Sequence, residues 1–348
     1  MHGQCGLFFR TYAGEAQLFP SRFQKIALAL FFTALCLAPW AMNKYLVSIL
    51  CLINISVIGA VSLNLLTGSC GQISLGHGAF FGVGAYTAAY LANLGLPFVL
   101  ALPGAGLVTA LVGMVFGLPS LRLKGIYLAI ATLAAQLILE YVFLHWESVT
   151  GGSRGLMVDP PQLFGFAFDN ERKMFYLLLA VAACALMVVT NVMRTRHGRA
   201  FVSIRDFYLS AEIAGVNLFG YKLAAFGLSS FLAGVAGGLW AHYTMFISAE
   251  QFNITLSISY LAMIIIGGLG SVVGSVMGAV FMTLLPEVLT ASTRSLTGIF
   301  PDIGSQLVAL REGVFGLVLM LFLIFEPEGL ANRWRLIKAY WKLYPFAH

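Results

Sequence analysis

The sequence predicts an all-α, polytopic integral membrane protein with about ten transmembrane helices. Of its 348 residues, 59% are hydrophobic and only 10% are charged, and the mean hydropathy is +0.89. Because soluble domains carry about 25% charged residues, this composition excludes an ordinary soluble fold. Long apolar runs recur along most of the chain, and a helix of about 20 apolar residues crosses a hydrocarbon core of about 30 Å.

Ten apolar segments are the predicted spans. They cover residues 24–41, 45–67, 73–94, 97–118, 125–146, 173–193, 222–246, 252–270, 272–291 and 310–327. Residues 24–327 therefore form the predicted transmembrane domain, flanked by an N-terminal segment, 1–23, and a C-terminal tail, 328–348. The glycine-rich sequence near residues 70 and 270 does not define where the spans on either side of it end.

The distribution of charge orients these spans. With the N-terminus in the cytoplasm, the inner segments contain 14 of the 20 basic residues and five of the 14 acidic residues. The inner side then has a net charge of +9, against −2 outside, while Glu140 lies within a span. Because short cytoplasmic loops collect Lys and Arg, both termini are predicted to be cytoplasmic. The excess of basic over acidic residues is explained by this orientation and by anionic lipid in the bilayer, and no nucleic-acid partner is implied.

The cysteines indicate no redox or metal chemistry. The chain contains Cys5, Cys36, Cys51, Cys70 and Cys184, which form no C-x-x-C pair and mostly fall in apolar spans. They are expected to behave as small buried hydrophobic residues.

A first glycine-rich place lies in LNLLTGSCGQISLGHGAFFGVGAY, residues 63–86. It contains Gly71, Gly76, Gly78, Gly82 and Gly84, and each glycine inside a helix costs about 0.5–1 kcal/mol relative to alanine. One explanation is close helix packing through Gly78 and Gly82. The other is a broken helix whose freed backbone groups line a hydrated cavity.

A second glycine-rich place lies in IIIGGLGSVVGSVMGAV, residues 264–280. It contains Gly267, Gly268, Gly270, Gly274 and Gly278, the last three on one helix face. A packing seam is again the alternative explanation. A glycine-interrupted segment in each half of the chain is, however, typical of transporters that break helices around a substrate path.

Polar side chains accompany these glycines. His77 suits a capping or interfacial role better than a metal site, since no second ligand stands near it. Thr132, Gln136 and Glu140 share one face of the fifth span; Glu140 lies near the outer end, where an acid can either reach the interface or line a pore. The predicted substrate pathway consists of Gln72, Ser74, Gly76, His77, Gly78, Thr132, Gln136, Gly267, Gly268 and Gly270.

The longest inner loop, residues 193–222, contains a predicted amphipathic helix from Arg199 onward. Its apolar face has Phe201, Ile204, Tyr208 and Ala211, and Gly215 is expected to end it as a C′ glycine. Such a helix either rests on anionic headgroups or docks its apolar face in a groove of a cytoplasmic partner. No G-x-x-x-x-G-K-[ST] phosphate loop occurs in the chain, so any ATP must bind another protein. No catalytic residue and no cofactor of its own are predicted.

Five blocks, in this order, carry a family resemblance: NLLTGSCGQISLGHGAFFGVGAYTAAYL, LRLKGIYLAIATLA, TGGSRGL, GRAFVSIRDFYLSAEIAGVNLFGYKLAAFGLSSFLAGVAGGL and IGGLGSVVGSVMGA. From about residue 50 to 327 the chain resembles the M-type permease subunit of branched-chain amino acid ABC importers. The resemblance implies an ABC importer permease fold in a bacterial inner membrane, forming half of a pore for branched-chain or other apolar amino acids. Implied partners are a second, H-type permease, two cytoplasmic ATPases and a periplasmic substrate-binding protein. The inner loop matches the family's coupling segment at Arg199, Arg205, Asp206, Ala211, Glu212 and Gly215.

Two departures from the family leave the substrate open. Leu137 stands where many members have glutamate, and Ser69-Cys70 replaces a tyrosine and a small residue. Urea permeases share several of the blocks, so a urea or small-amide permease is the alternative within this architecture.

Two other classes are less well supported by the residues. A passive channel for a small neutral solute would need no ATPase and would leave the inner loop without a partner. A membrane-embedded enzyme would need converging catalytic groups, and His77, Glu140 and His145 are scattered along the chain.

Overall fold

Helices make up nearly all of the structure. It is a computed structural model that describes residues 22–121, 123, 125–163, 166–297, 306–326 and 328–343. Its helices are α1 Arg22–Ala41, α2 Lys44–Leu63, α3 His77–Asn93, α4 Phe98–Gly117, α5 Ile126–His145, α6 Glu171–Arg194, α7 Arg196–Ile213, α8 Leu218–Thr244, α9 Ile254–Gly267, α10 Val272–Thr297, α11 Gln306–Phe325 and α12 Leu330–Leu343. Most of the predicted N-terminal segment 1–23 and the last five residues of the tail lie outside the described residues.

The all-α, polytopic membrane class is confirmed. Each predicted span falls on a helix, and six helical segments in the described part of the chain are long and apolar enough to cross a membrane. They are Lys44–Ser69, Phe98–Gly117, Ile126–His145, Glu171–Arg194, Leu218–Thr244 and Val272–Ser292. Shorter apolar stretches follow at Ala29–Ala41, Ile254–Gly267 and Gly313–Phe322.

The boundaries differ from the prediction at the two glycine-rich places. α2 continues past residue 67 as a π-helical turn, Asn64–Ser69, and α3 begins only at His77. α9 ends at Gly267, where the predicted span runs to residue 270. In both places glycines with positive φ, including Gly71 at 72° and Gly268 at 115°, turn the backbone out of the helical conformation.

The core of the bundle consists of α2, α3 and α8. In the most apolar parts of α2 and α8, 72% of residues are buried, against 28–39% in α4, α5, α6 and α10. α3 packs on α8 so closely that a Cβ on Gly84 would lie 2.3 Å from the Cα of Gly234. Close packing therefore explains part of the first glycine-rich place, since glycine lets two helix backbones touch.

The outer helices present apolar side chains to their surroundings. Along α4, for example, Leu100, Leu107, Leu111 and Val115 are each about 60% exposed. Lipid tails can cover such a surface without unpaired polar groups. The surface of this bundle therefore fits a bilayer and not water.

Small β-structures lie in the segments that connect helices. β1, Leu156–Met157, pairs antiparallel with β4, Phe246–Ile247, and β2, Gln162–Leu163, pairs with β3, Phe166–Ala167. The first pair ties the connection after α5 to the end of α8.

α9 and α10 form a hairpin whose backbones are in contact. A Cβ on Gly278 would lie 1.8 Å from the carbonyl oxygen of Met263, and one on Gly267 would lie 2.0 Å from that of Gly274. A side chain at either position would force the two helices apart. The seam predicted from Gly274 and Gly278 is thus a real helix contact, and it lies between α9 and α10.

Gly278→Ala is expected to destabilise the protein by about 1–3 kcal/mol through overpacking against Met263. Gly313→Ala is the matched control, because Gly313 lies in α11 with nothing within 4 Å of an added Cβ. There the better helix propensity of alanine should leave stability unchanged or raise it. Thermal unfolding of the two purified variants checks this, and equal unfolding temperatures would contradict a tight seam at Gly278.

Candidate functional site

The first glycine-rich place is a break between two helices in the protein interior. The π-helical turn ends at Ser69, residues 71–76 form no helix, and α3 starts at His77. We call residues 68–76, the end of this turn and the non-helical residues after it, together with the first turn of α3, the first break. Because the starting turn of a helix has N–H groups without intrahelical partners, each must be satisfied from elsewhere.

Side chains from α5 and α9 cap the start of α3. The N–H of Leu75 donates to Thr132 Oγ1 at 2.9 Å. The N–H of Gly78 donates to Ser257 Oγ at 2.7 Å, and that of Ala79 donates to Gln136 Oε1 at 2.7 Å. Three different helices therefore meet at this point through hydrogen bonds.

Gln136 is at the centre of this network and is fully buried. Its Oε1 also accepts from Ser257 Oγ at 3.1 Å, and its Nε2 donates to the carbonyl of Phe252 at 2.6 Å. Thr132 and Gln136 share one face of α5, as their spacing predicts, and this face meets the first break. Leu137, which stands where many family members have glutamate, is 57% exposed. It therefore lies outside this network.

His77 is buried in a polar corner formed by α2 and α9. Its Nε2 lies 3.1 Å from both Ser62 Oγ and the carbonyl oxygen of Gly59. Its ring meets Tyr260 edge-on, with centroids 5.3 Å apart. In the described part of the chain no three His, Cys, Asp or Glu side chains come together as metal ligands would. His77 therefore joins α3 to its neighbours.

The remaining polar residues of the first break are also enclosed. Ser74 is fully buried, and its Oγ accepts from the N–H of Gly76 at 3.4 Å. The carbonyl of Gln72 accepts from Thr67 Oγ1 at 3.1 Å, while its side-chain Oε1 is buried with no hydrogen-bond partner among the described residues. A Cβ on Gly76 would lie 2.7 Å from the carbonyl oxygen of Thr132. Ser74, Gln72 and Gly76 are therefore in contact with protein groups in this structure.

The second glycine-rich place is the loop between α9 and α10, residues 268–271, which we call the second break. Asn64, in the π-helical turn after α2, makes three hydrogen bonds, two to this break and one to the first turn of α10. Asn64 Oδ1 accepts from the N–H of Gly270 at 2.8 Å, and its Nδ2 donates to the carbonyl of Ser271 at 2.8 Å and to Ser275 Oγ at 2.7 Å. Of the predicted pathway residues, Gly268 and Gly270 lie in this break and Gly267 lies at the end of α9.

The two breaks touch each other. A Cβ on Gly68 would lie only 2.4 Å from the backbone nitrogen of Gly270. Sequence reasoning missed Asn64 and Ser257, whose partners lie on other helices. One signal for Asn64 was available, because it is an amide placed in an apolar span directly before the first break.

The inner-loop helix, α7, is longer at its start than predicted and ends as predicted. It begins at Arg196, after Thr195, whose Oγ1 accepts from the N–H of His197 at 3.2 Å. Gly215 has a φ of 82°; its N–H donates to the carbonyl of Glu212, and that of Val216 donates to the carbonyl of Ala211. This is a Schellman motif, so the prediction of a C′ glycine at Gly215 is confirmed.

The apolar face of α7 packs on the chain's own membrane domain. Phe201, Ile204 and Ala211 are each at most 4% exposed, in a cluster with Leu66 and Phe226. This differs from both alternatives predicted for that face, a lipid surface and a partner's groove. Periodicity identified the buried face correctly but not what covers it.

A second, exposed apolar surface on α7 was not predicted. The helix is kinked at Phe207, where φ is −149° and ψ is 88°. This kink interrupts the helical register, and Phe207, Leu209 and Ile213 are 75%, 59% and 89% exposed. We call these three residues the α7 apolar surface.

The predicted coupling residues lie on both sides of α7. Arg199, Arg205, Asp206, Glu212 and Gly215 are exposed, while Ala211 is buried. Arg205 forms an ion pair with Asp206 at 2.9 Å, and its Nη1 donates to the carbonyl of Gly68 at 3.0 Å. Arg205 thus points toward the membrane domain.

Comparisons with known proteins agree with this architecture. The profile of a family described as branched-chain amino acid transport system, permease component, matches residues 45–323. The high-affinity branched-chain amino acid transport system permease protein LivM of Salmonella typhimurium is 32% identical over 317 residues, which cover 84% of this chain and 71% of the relative. LivM of Escherichia coli K12 is 31% identical over 332 residues, covering 88% and 75%.

A more distant relative has a different named role. The autoinducer 2 import system permease protein LsrC of Escherichia coli O9:H4 is 26% identical over 270 residues, which cover 73% of this chain and 71% of the relative. No solved structure matches the chain significantly.

Gln136→Leu is expected to destabilise the protein by about 2–4 kcal/mol, because it leaves the N–H of Ala79 and the carbonyl of Phe252 buried without partners. Leu137→Met, on the exposed side of the same helix, is the control and should change little. Thermal unfolding in detergent measures both effects. Equal stability of the two variants would show that Gln136 does not hold the first break together.

Proposed function

The chain belongs to the family of branched-chain amino acid transport system permease components, and from this premise we propose that it forms half of the pathway of an ABC importer. The cargo would be branched-chain or other apolar amino acids. The observation that carries this proposal is the extent of the family match, which covers α2 to α10, including α7 and both breaks.

ATP hydrolysis would take place on separate subunits, since the sequence contains no phosphate-binding loop. The proposed assembly contains a second, H-type permease, two cytoplasmic ATPases and a periplasmic substrate-binding protein. The chain itself would have no catalytic residue and no cofactor. It would cross a bacterial inner membrane ten times with both termini in the cytoplasm, an orientation that the excess of inner Lys and Arg supports.

The α7 apolar surface is the proposed contact with an ATPase. Phe207, Leu209 and Ile213 would otherwise expose apolar area to the cytoplasm, and aromatic and aliphatic anchors are typical centres of protein interfaces. The exposed charged residues Asp206 and Glu212 are their neighbours along α7. Next to them is an open cavity of about 440 Å³, lined in part by Leu209, Glu212 and Phe219. An apolar centre with a charged rim suits a stable but movable contact.

The two breaks are the proposed moving parts of the pathway. Helices that end at glycines in contact can shift without large side-chain collisions, and the caps from Thr132, Gln136 and Ser257 can be exchanged for other partners. The residues around the breaks are mostly glycine, serine and aliphatic, with few charges to hold a zwitterion. Substrate selection would therefore rest mainly on the separate binding protein.

Purification of the chain from its native membrane in mild detergent tests the assembly. We expect a second permease and ATPases with G-x-x-x-x-G-K-[ST] motifs to co-purify, and the reconstituted complex to take up leucine only with ATP and the binding protein. Reproducible isolation of the chain alone, with solute flux that needs no ATP, would instead establish a passive channel.

Ile213→Asp is expected to weaken ATPase binding by about tenfold or more, because it places a charge at the centre of an apolar contact. Leu336→Asp in α12 is the matched control, since Leu336 is also well exposed, at 54%. The amount of ATPase retained on each immobilised variant gives the comparison. Equal retention by both variants would show that the α7 apolar surface is not part of the interface.

A further inference from the structure

We propose that Arg205 is a positioning residue that joins α7 to both breaks, so that the three parts move together. This inference rests on the proposed function, because it assigns the path by which a movement of α7 reaches the membrane domain. The family resemblance places Arg205 in the coupling segment, and the contacts below assign it partners inside the chain's own membrane domain.

The guanidinium of Arg205 lies where the two breaks meet. Its Nη1 donates to the carbonyl oxygen of Gly68 at 3.0 Å, at the end of the π-helical turn. The same nitrogen would lie 2.8 Å from a Cβ on Gly270, so it is also in contact with the second break. The stem of Arg205 packs on Gly71, where an added Cβ would lie 3.1 Å from Arg205 Cγ.

Electrostatics favours an arginine at this point. The C-terminal end of a helix carries partial negative charge on its last carbonyl groups, and a cation there is stabilising. A hydrogen bond from a charged donor is also stronger than one between neutral groups. Asp206 Oδ1 accepts from Arg205 Nε at 2.9 Å, which fixes the plane of the guanidinium. Lysine could supply the charge but not this second, oriented donor.

Asn64 continues the connection into α10. It binds Gly270, Ser271 and Ser275 as described above, while Gly68 touches Gly270 directly. Because Gly68 and Gly270 have no side chains, there is no flexible group between these backbones that could absorb a displacement. A shift of α7 at Arg205 therefore acts on the first and second breaks at once.

Replacing Arg205 should not release α7 from the membrane domain. Phe201, Ile204 and Ala211 are buried against it independently of the guanidinium. The role of Arg205 in transmitting movement can thus be separated from the anchoring of α7 by packing. Arg196 offers a matched control, because it is exposed on the same helix nine positions earlier and is not among the predicted coupling residues.

The test uses the complete complex in lipid, with spin labels at exposed positions in a background without native cysteines. One label pair joins Ser210 in α7 to Glu147, on the turn after α5, and the other joins Leu269 in the second break to Glu147. Pulsed electron resonance gives both distances without nucleotide and after trapping with ATP and vanadate. The variants are Arg205→Met, Arg205→Lys and the control Arg196→Met.

We expect both distances to change on trapping in the unsubstituted complex and in Arg196→Met. In Arg205→Met the Ser210 distance should still change while the Leu269 distance does not, and uptake per ATP hydrolysed should fall about tenfold or more. Arg205→Lys should restore part of the Leu269 change, which a purely structural role would not produce.

Two results overturn the inference in distinguishable ways. If the Leu269 distance changes in Arg205→Met as it does in the unsubstituted complex, Arg205 does not transmit the movement, and the proposed function stands. If neither distance changes with ATP in the unsubstituted complex, and uptake is absent, the proposed function and this inference fail together.

Discussion

Backbone polar groups cannot be left unpaired in an apolar interior, and the rest of this structure depends on how that constraint is met where α2 gives way to α3. The break frees N–H groups at Leu75, Gly78 and Ala79, of which Gly78 and Ala79 are buried. Thr132, Ser257 and Gln136 supply the missing acceptors. The positions of α5 and α9 relative to α3 are therefore set by specific hydrogen bonds as well as by packing.

The second break follows from the same constraint. A loop of glycine and serine between α9 and α10 needs partners for its own backbone, and Asn64 provides them from the end of α2. Glycine makes this possible, since Gly68 and Gly270 approach more closely than any residue with a side chain would allow. The two breaks are consequently in direct contact, although they lie about 200 residues apart in the sequence.

The inner helix α7 has two apolar surfaces, one buried against the membrane domain and one exposed. Phe201 and Ile204 anchor it to the membrane domain, while Phe207 and Ile213 face outward past the kink. A helix that only rested on lipid would not need both a buried and an exposed apolar surface. Packed side chains and rigid helices can carry coupling between distant sites. In the proposed function, a helix that is anchored on one face and exposed on the other provides such a connection.

The sequence by itself determined the helical membrane class, the approximate place of each apolar helix, the shared face of Thr132 and Gln136, and the glycine that ends α7. These follow from local properties: the length of apolar runs, the 3.6-residue period and the positive φ that glycine tolerates. Only the tertiary structure decided what each face meets. Lipid, protein interior and a partner subunit all favour apolar side chains, so the pattern of Phe201, Ile204 and Ala211 could not distinguish among them. Likewise, hydrogen-bond partners such as Asn64 and Gly270 are chosen by how helices pack, and no local pattern records which backbone comes to lie opposite a given side chain.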